Sequence, residues 1–297
     1  DYVMSMFCSQ DMAYSGVISL HDLDAMLRNT EKPIQIYDYG IDADNLIDMA
    51  ASVVGGREEL RRRPILLLLS EPVSPLTHDS FIRNVRIFAR NGLPVAYTPA
   101  PKGGATGPIT LAGCLVLGCA EALSGNAIVQ LTRKGAPFIF TLGSCRIDLR
   151  SLAITMAAPE LMLTNLALIQ LAAHYGLPSA MIGGVTDAKI LDAQATAEAA
   201  ITLYNSALSG ANLIRDVACM AGSSIGSLEL LTICDEFISY IRMVLSGIKV
   251  NNETLALDVI RKVGIAGHFL AEEHTRRHVK DEYCEPMLLD RQTITSW

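Results

Sequence analysis

The sequence predicts an α/β protein of the (β/α)8 class, a TIM-type barrel lacking its amino-terminal part and followed by extra C-terminal helices. Three observations carry this. Seven short apolar runs, at residues 2–7, 33–39, 64–70, 94–98, 137–142, 178–183 and 211–217, alternate with longer amphipathic segments. The runs are largely apolar, most clearly Ile65-Leu66-Leu67-Leu68-Leu69, which suits strands buried on both faces of a parallel sheet. After Val250 the pattern turns to helices only. Successive strand–helix units build right-handed βαβ crossovers. With an eighth strand from a missing segment they close a barrel; left open, they make a doubly wound sheet, which stays the alternative.

The chain begins at Asp1 rather than Met, and residues 2–7 already read as a buried strand. The sequence is therefore expected to be part of a longer protein, with no basic region and signal-like core ahead of that strand. Five later runs start at Pro33, Pro64, Pro94, Pro137 and Pro178, where a strand can lack an amide donor. Residues 44–54 place Leu46, Ile47, Ala50 and Val54 on one helical stripe. Residues 77–91 open with Thr77-His78-Asp79-Ser80 and close at Gly92, a helix-ending residue. Further helices are predicted at 108–134, 159–175, 192–208 and 227–245, then at 252–263 and 267–281. The barrel units occupy 1–250, and the helical extension 251–297 packs on the same domain. No low-complexity segment or composition shift marks an internal boundary.

With 297 residues, 50% of them hydrophobic and 19% charged, the chain is neither disordered nor collagen-like. Its net charge of −7, with no basic block beyond Arg61-Arg62-Arg63, argues against a nucleic-acid partner. The longest uncharged apolar stretch, 108–120, ends at Glu121 and falls short of the roughly 18 residues a membrane span needs. Seven scattered cysteines without a C-x-x-C spacing fit a reducing cytoplasm. Self-association stays open.

Either α/β architecture puts its active site where strands end. The glycine-rich segment 99–108 leaves such an end and can offer amides to an anion, though it lacks phosphate-loop spacing. Gly222-Ser223-Ser224-Ile225-Gly226 matches G-x-S-x-G, with Asp258 and His268 downstream in hydrolase order. A serine hydrolase using Ser224 is thus an alternative, although such enzymes carry more strands after the nucleophile. In the exit segment 183–189, Lys189 is a Schiff-base candidate if buried. Asp187 there is a ligand for a cation or hydroxyl, or a helix cap. Rings recur at period two, Tyr37 with Tyr39 and Phe138 with Phe140, and Tyr97 stands near its own strand's exit. Facing inward they can box a quaternary ammonium; facing outward they are ordinary core. His274 and His278 alone have i,i+4 metal spacing but lack the H-E-x-x-H order, so no metal site is expected. His268, after Gly264 and Gly267, projects into a site or caps its helix.

Taken in order, several segments resemble the trimethylamine methyltransferase family. They are Arg62-Arg63-Pro64, Ser74-Pro75-Leu76, Gly104-Ala105-Thr106-Gly107-Pro108-Ile109-Thr110-Leu111-Ala112-Gly113, Ile147-Asp148-Leu149-Arg150, Ala158-Pro159-Glu160 and Tyr175-Gly176-Leu177-Pro178. They continue with Gly184-Val185-Thr186-Asp187-Ala188-Lys189, Glu253-Thr254-Leu255-Ala256-Leu257-Asp258, Gly267-His268-Phe269-Leu270, His274-Thr275 and Asp290-Arg291. The resemblance implies a (β/α)8 barrel cut from a longer parent. It also implies methyl transfer from a methylated amine to the cobalt(I) of a separate corrinoid protein. The cobalamin would belong to that partner and not to this chain, which fits the missing D-x-H-x-x-G motif of corrinoid carriers. Founding members carry pyrrolysine; this sequence has only the standard residues. It therefore resembles the non-pyrrolysine branch, which acts on quaternary amines such as glycine betaine, proline betaine or carnitine. A quaternary nitrogen leaves as a neutral tertiary amine, so no proton donor is needed. On this reading Tyr97 and Phe140 are the cage rings, Lys102 or Lys189 holds a substrate carboxylate, and Asp187 and His268 organise the pocket. The catalytic residues stay unassigned. A barrel that binds amines without turnover is the remaining alternative.

Overall fold

The computed structural model describes residues 4–5, 17–38, 42–143 and 146–297. Each of the seven apolar runs contains a strand: β1 (Met4–Ser5), β2 (Ile34–Tyr37), β3 (Leu66–Ser70), β4 (Val95–Tyr97), β5 (Phe138–Thr141), β6 (Ser179–Ile182) and β7 (Leu213–Arg215). All six pairings are parallel and the strands lie side by side in chain order. A doubly wound sheet reverses its strand order at a switch point. This one never does, which removes the doubly wound alternative.

The sheet is also curled. Tyr37 at the end of β2 donates a hydrogen bond to Asp216, just past β7. Laid flat, those strands would stand roughly 24 Å apart. The Arg215 guanidinium, on β7, likewise reaches Thr141 Oγ1 at 3.4 Å and the Leu142 carbonyl at 3.2 Å. Among the described residues β1 and β7 do not pair with each other. What is shown is a curled parallel wall, not the closed eight-stranded barrel the sequence suggested.

Helices cover its outer face: α1 (Ile18–Asn29), α2 (Ala43–Val54), α3 (Arg57–Arg62), α4 (Ile82–Asn91), α5 (Leu111–Thr132), α6 (Pro159–His174) and α7 (Ala193–Leu208). Side chains start three of them. Asp42 accepts from the Asn45 amide, Thr110 from Gly113 and Asp192 from Ala195, each satisfying an amide the helix leaves free. Gly92 ends α4 at φ 71°, the left-handed conformation glycine adopts without strain. Strand alternation sorts the core. Ile36, Leu66, Leu68, Val95, Tyr97 and Phe140 pack outward against helix residues such as Leu46 and Phe88. Leu67, Leu69 and Ala96 pack inward with Tyr37, Ile139 and Leu213. By length and composition α5 could cross a membrane. Here its glycines press on the sheet: a Cβ at Gly125 would stand 2.2 Å from the Tyr97 ring, and one at Gly118 2.3 Å from Leu142.

The chain divides into two compact units, Asp1–Leu231 and Thr232–Trp297, with the division inside α8 (Leu228–Ser246). The first unit also holds a hairpin of β8 (Cys219–Met220) and β9 (Ile225–Gly226). The second contains α9 (Asn252–Leu255), α10 (Leu257–Val263) and α11 (Glu273–Glu282). Within it, the Glu236 carboxylate accepts from the Met287 and Leu288 amides at 2.9 and 3.1 Å.

Candidate active site

The strand exits enclose a cavity of about 500 Å³ on the concave side of the sheet. Tyr37 from β2, Glu71 after β3, Lys102 after β4, Gly143 after β5, Ile182 from β6 and Arg215 with Asp216 from β7 all contribute to its wall. Six consecutive strands thus meet at one opening, the position where parallel α/β proteins build their sites.

Two groups of charge stand in this wall. Arg215 and Asp216 are each 4% exposed and paired at 2.5 Å. Asp216 spends its second oxygen on the Tyr37 hydroxyl, while the guanidinium continues to Thr141 and the Leu142 carbonyl. Burial, together with Asp216, lifts the Tyr37 pKa well above its ordinary value, so the phenol stays protonated. Burial works against the charge on Arg215, but Asp216, Tyr37 and Glu71 hold its pKa above the usual value. This cluster satisfies itself.

Glu71 differs. Burial raises its pKa, and the positive charges of Arg215 and Lys102 pull it back. No residue among those described donates a hydrogen bond to its carboxylate. Its loop is fixed from outside: the Glu121 carboxylate, on α5, accepts from Ser74 Oγ at 2.8 Å and the Leu76 amide at 2.7 Å. The Cys219 thiol also lines the cavity, and burial beside Asp216 pushes its pKa up to about 12. It is a neutral group, not a nucleophile.

Of the residues singled out in the sequence, Lys102 lines this cavity and Tyr37 joins it there. Tyr97 and Phe140 do not, because their strand parity points them into the sheet–helix core. Tyr97 is 1% exposed and bonds His78 Nδ1 at 2.6 Å; Phe140 is wholly buried, its ring centroid 6.0 Å from that of Tyr175. The cage expected of these two rings is therefore replaced by core packing. Tyr39 lies outside the described residues. Asp187 ties down the loop after β5, accepting from the Met156 amide at 2.7 Å and the Ala157 amide at 3.2 Å. Lys189 is exposed and donates to the Asp187 carbonyl, which removes the desolvation a Schiff-base lysine needs. His268 is exposed and belongs to the second unit. In the glycine-rich loop, the Lys102, Ala105 and Gly107 amides are spent on Thr106 and Lys102 oxygens, leaving none of the three for an anion.

The hydrolase pattern also dissolves. Ser224 sits in the β8–β9 hairpin rather than at a strand-to-helix elbow. Asp258 is on the second unit's surface, bound to Arg261 at 2.9 Å. Glu71, Arg215 and Asp216 are not among the candidates the sequence singles out, although all three lie at or just past a strand end. A signal was available: an arginine closing an apolar strand must find a buried partner.

Comparison with known proteins gives one consistent result. The family model described as trimethylamine methyltransferase (MTTB) matches residues 6–297. The trimethylamine methyltransferase MttB of Desulfitobacterium hafniense is 35% identical over 299 residues, and that of Methanosarcina barkeri 36% identical over 300; both alignments cover 100% of this chain. A glycine betaine methyltransferase of Desulfitobacterium hafniense is 33% identical over 285 residues, 95% of this chain. The chain spans 60% of the length of each of these relatives.

Proposed function

The chain belongs to the trimethylamine methyltransferase family, and from that premise we propose that it moves a methyl group from a quaternary methylamine, such as glycine betaine, to the cobalt(I) of a separate corrinoid protein. The observation that carries the reading is the cavity at the strand exits, walled by six strands and containing charge of both signs. In the longer protein an eighth strand would close the wall into a (β/α)8 barrel with this cavity as its mouth.

The reaction breaks one N–CH3 bond and forms one Co–CH3 bond. Cobalt(I) supplies the electron pair to the methyl carbon, and the N–C pair stays on nitrogen, which leaves as a neutral tertiary amine. No proton has to move, so the protein's task is to orient the substrate and keep water out. That agrees with a wall whose Tyr37 phenol and Cys219 thiol both stay protonated. Lys102, which lines the cavity, would hold the carboxylate of a betaine on this reading. Leu76, Ile109, Leu149, Leu152, Ile190 and Ile225, on the segments that follow β3 to β7, are exposed and would offer the carrier apolar docking contacts.

The test is absorbance-monitored methylation of cob(I)alamin on the cognate carrier, using the intact protein and a panel of glycine betaine, proline betaine, carnitine and trimethylamine. Methylcobalamin is expected with at least one quaternary amine. Transfer from trimethylamine alone would overturn the substrate class, and no transfer from any donor would overturn the reaction.

A further inference from the structure

We propose that Glu71 is the residue by which the cavity distinguishes a cationic ligand from a neutral one of the same shape. The proposal rests on the methylated-amine reading of this site and assigns its charge recognition to one side chain. Among the described residues, four charged ones line the cavity: Glu71, Lys102, Arg215 and Asp216. Asp216 has both oxygens occupied, by the Tyr37 hydroxyl and by Arg215. Glu71 is the other carboxylate, and none of the described residues donates to it.

That difference matters for this kind of ligand. A quaternary ammonium has no N–H, so it cannot use an acceptor arranged for a directed hydrogen bond. It is attracted by a carboxylate surface that lies close, is poorly hydrated and is not already consumed by donors. Glu71 stands at the cavity wall, burial raises its pKa, and none of the described residues donates to it. An aromatic cage is the usual alternative, yet among the described lining residues Tyr37 is the sole ring. Among the described lining residues, charge recognition therefore falls to the carboxylate. Lys102, near enough to act on Glu71 electrostatically, gives the opposite pole for a zwitterion. The anchor of the Glu71 loop on Glu121 keeps that carboxylate in place without touching its oxygens.

Calorimetric binding to the intact protein tests this with two ligands: glycine betaine and its carbon isostere 3,3-dimethylbutanoate, which has the same shape and carboxylate but no positive charge. The wild type should prefer glycine betaine by roughly 30-fold or more, the low end for a desolvated charge pair. Glu71→Gln should bring the ratio close to one while leaving the isostere's affinity unchanged, which also shows that the variant's cavity is intact. A preference retained in Glu71→Gln overturns the assignment. Should that variant bind neither ligand, Glu71→Asp decides: the preference survives if charge is what is read, and its loss overturns the proposal. A wild type that binds no methylated amine overturns the underlying reading and the proposal together, and the wild-type titration alone reveals that outcome.

Discussion

Replacing Asp38 by Asn should relieve a pH-dependent penalty next to the site. Asp38 follows Tyr37 directly, is 4% exposed, and accepts hydrogen bonds from Ser70 Oγ at 2.9 Å and Asn84 Nδ2 at 2.7 Å. Burial raises its pKa from 3.8 to about 6; the two neutral donors oppose the rise without cancelling it, and Asp79 adds to it. At 1.36 kcal/mol per pKa unit, holding this carboxylate ionised in the folded state costs about 3 kcal/mol. The folded state binds the proton more tightly than the unfolded chain does. The favourable contribution is therefore complete below pH 3.8 and is lost as pH rises through about 6. Asparagine keeps an acceptor for Asn84 and offers its own NH2 to Ser70, whose hydroxyl can turn to accept. Urea unfolding followed by circular dichroism should show the variant gaining on the wild type by about 1.4 kcal/mol between pH 5 and pH 8. Parallel pH–stability curves for the two proteins would refute the reasoning, because they would mean that Asp38 ionises at no cost.

Three further substitutions separate packing from charge. Gly125→Ala drives a methyl into the Tyr97 ring, 2.2 Å away, and should cost about 1–3 kcal/mol in thermal or urea unfolding. Tyr97→Phe removes the hydrogen bond to His78 and should cost about 1 kcal/mol, leaving amine binding within about twofold; a larger loss of binding would place the ring in the cavity after all. Arg215→Ala strands Asp216 without its cation and should cost about 3–5 kcal/mol at pH 8. Urea or thermal unfolding at pH 8 checks that loss.

The strands were legible because each is an apolar run that starts at a helix stop, often at a proline, and those are local signals. Helices α1 and α3 were not, for reasons that are also local. In α1 only Leu23 and Met26 are buried, too few to show a periodic stripe. The short α3 is supported by the Arg61–Glu58 and Arg62–Glu59 pairs rather than by an apolar face. Facing was harder still. Period two shows that Phe138 and Phe140 share a side but not which side. The answer for Tyr97 lies in Gly125, 28 positions away, whose missing side chain makes the outer pocket for that ring. Lys102 was found because its loop is conspicuous. Glu71 was missed because one acid after a run of leucines reads as the end of a strand.

The inner face of the sheet changes character along the strands, and this links fold to site. Near the strand starts Leu67, Ile139 and Leu213 surround an apolar space, as a packed barrel floor would. Near the exits Tyr37, Thr141, Arg215 and Asp216 replace them with a hydrogen-bonded charge cluster that joins β2, β5 and β7. That cluster holds the curled strands together and also forms the cavity wall, so its charges are answered by protein. Glu71 stands in the same wall, and none of the described residues donates to it. A charge whose partners are all protein is structural, and removing its partner damages the fold before it damages binding. A charge left without a protein donor is available to a ligand, and neutralising it should change selectivity while the fold persists. Arg215→Ala and Glu71→Gln therefore make opposite predictions from positions only a cavity's width apart: the first lowers stability, and the second lowers charge selectivity without lowering stability.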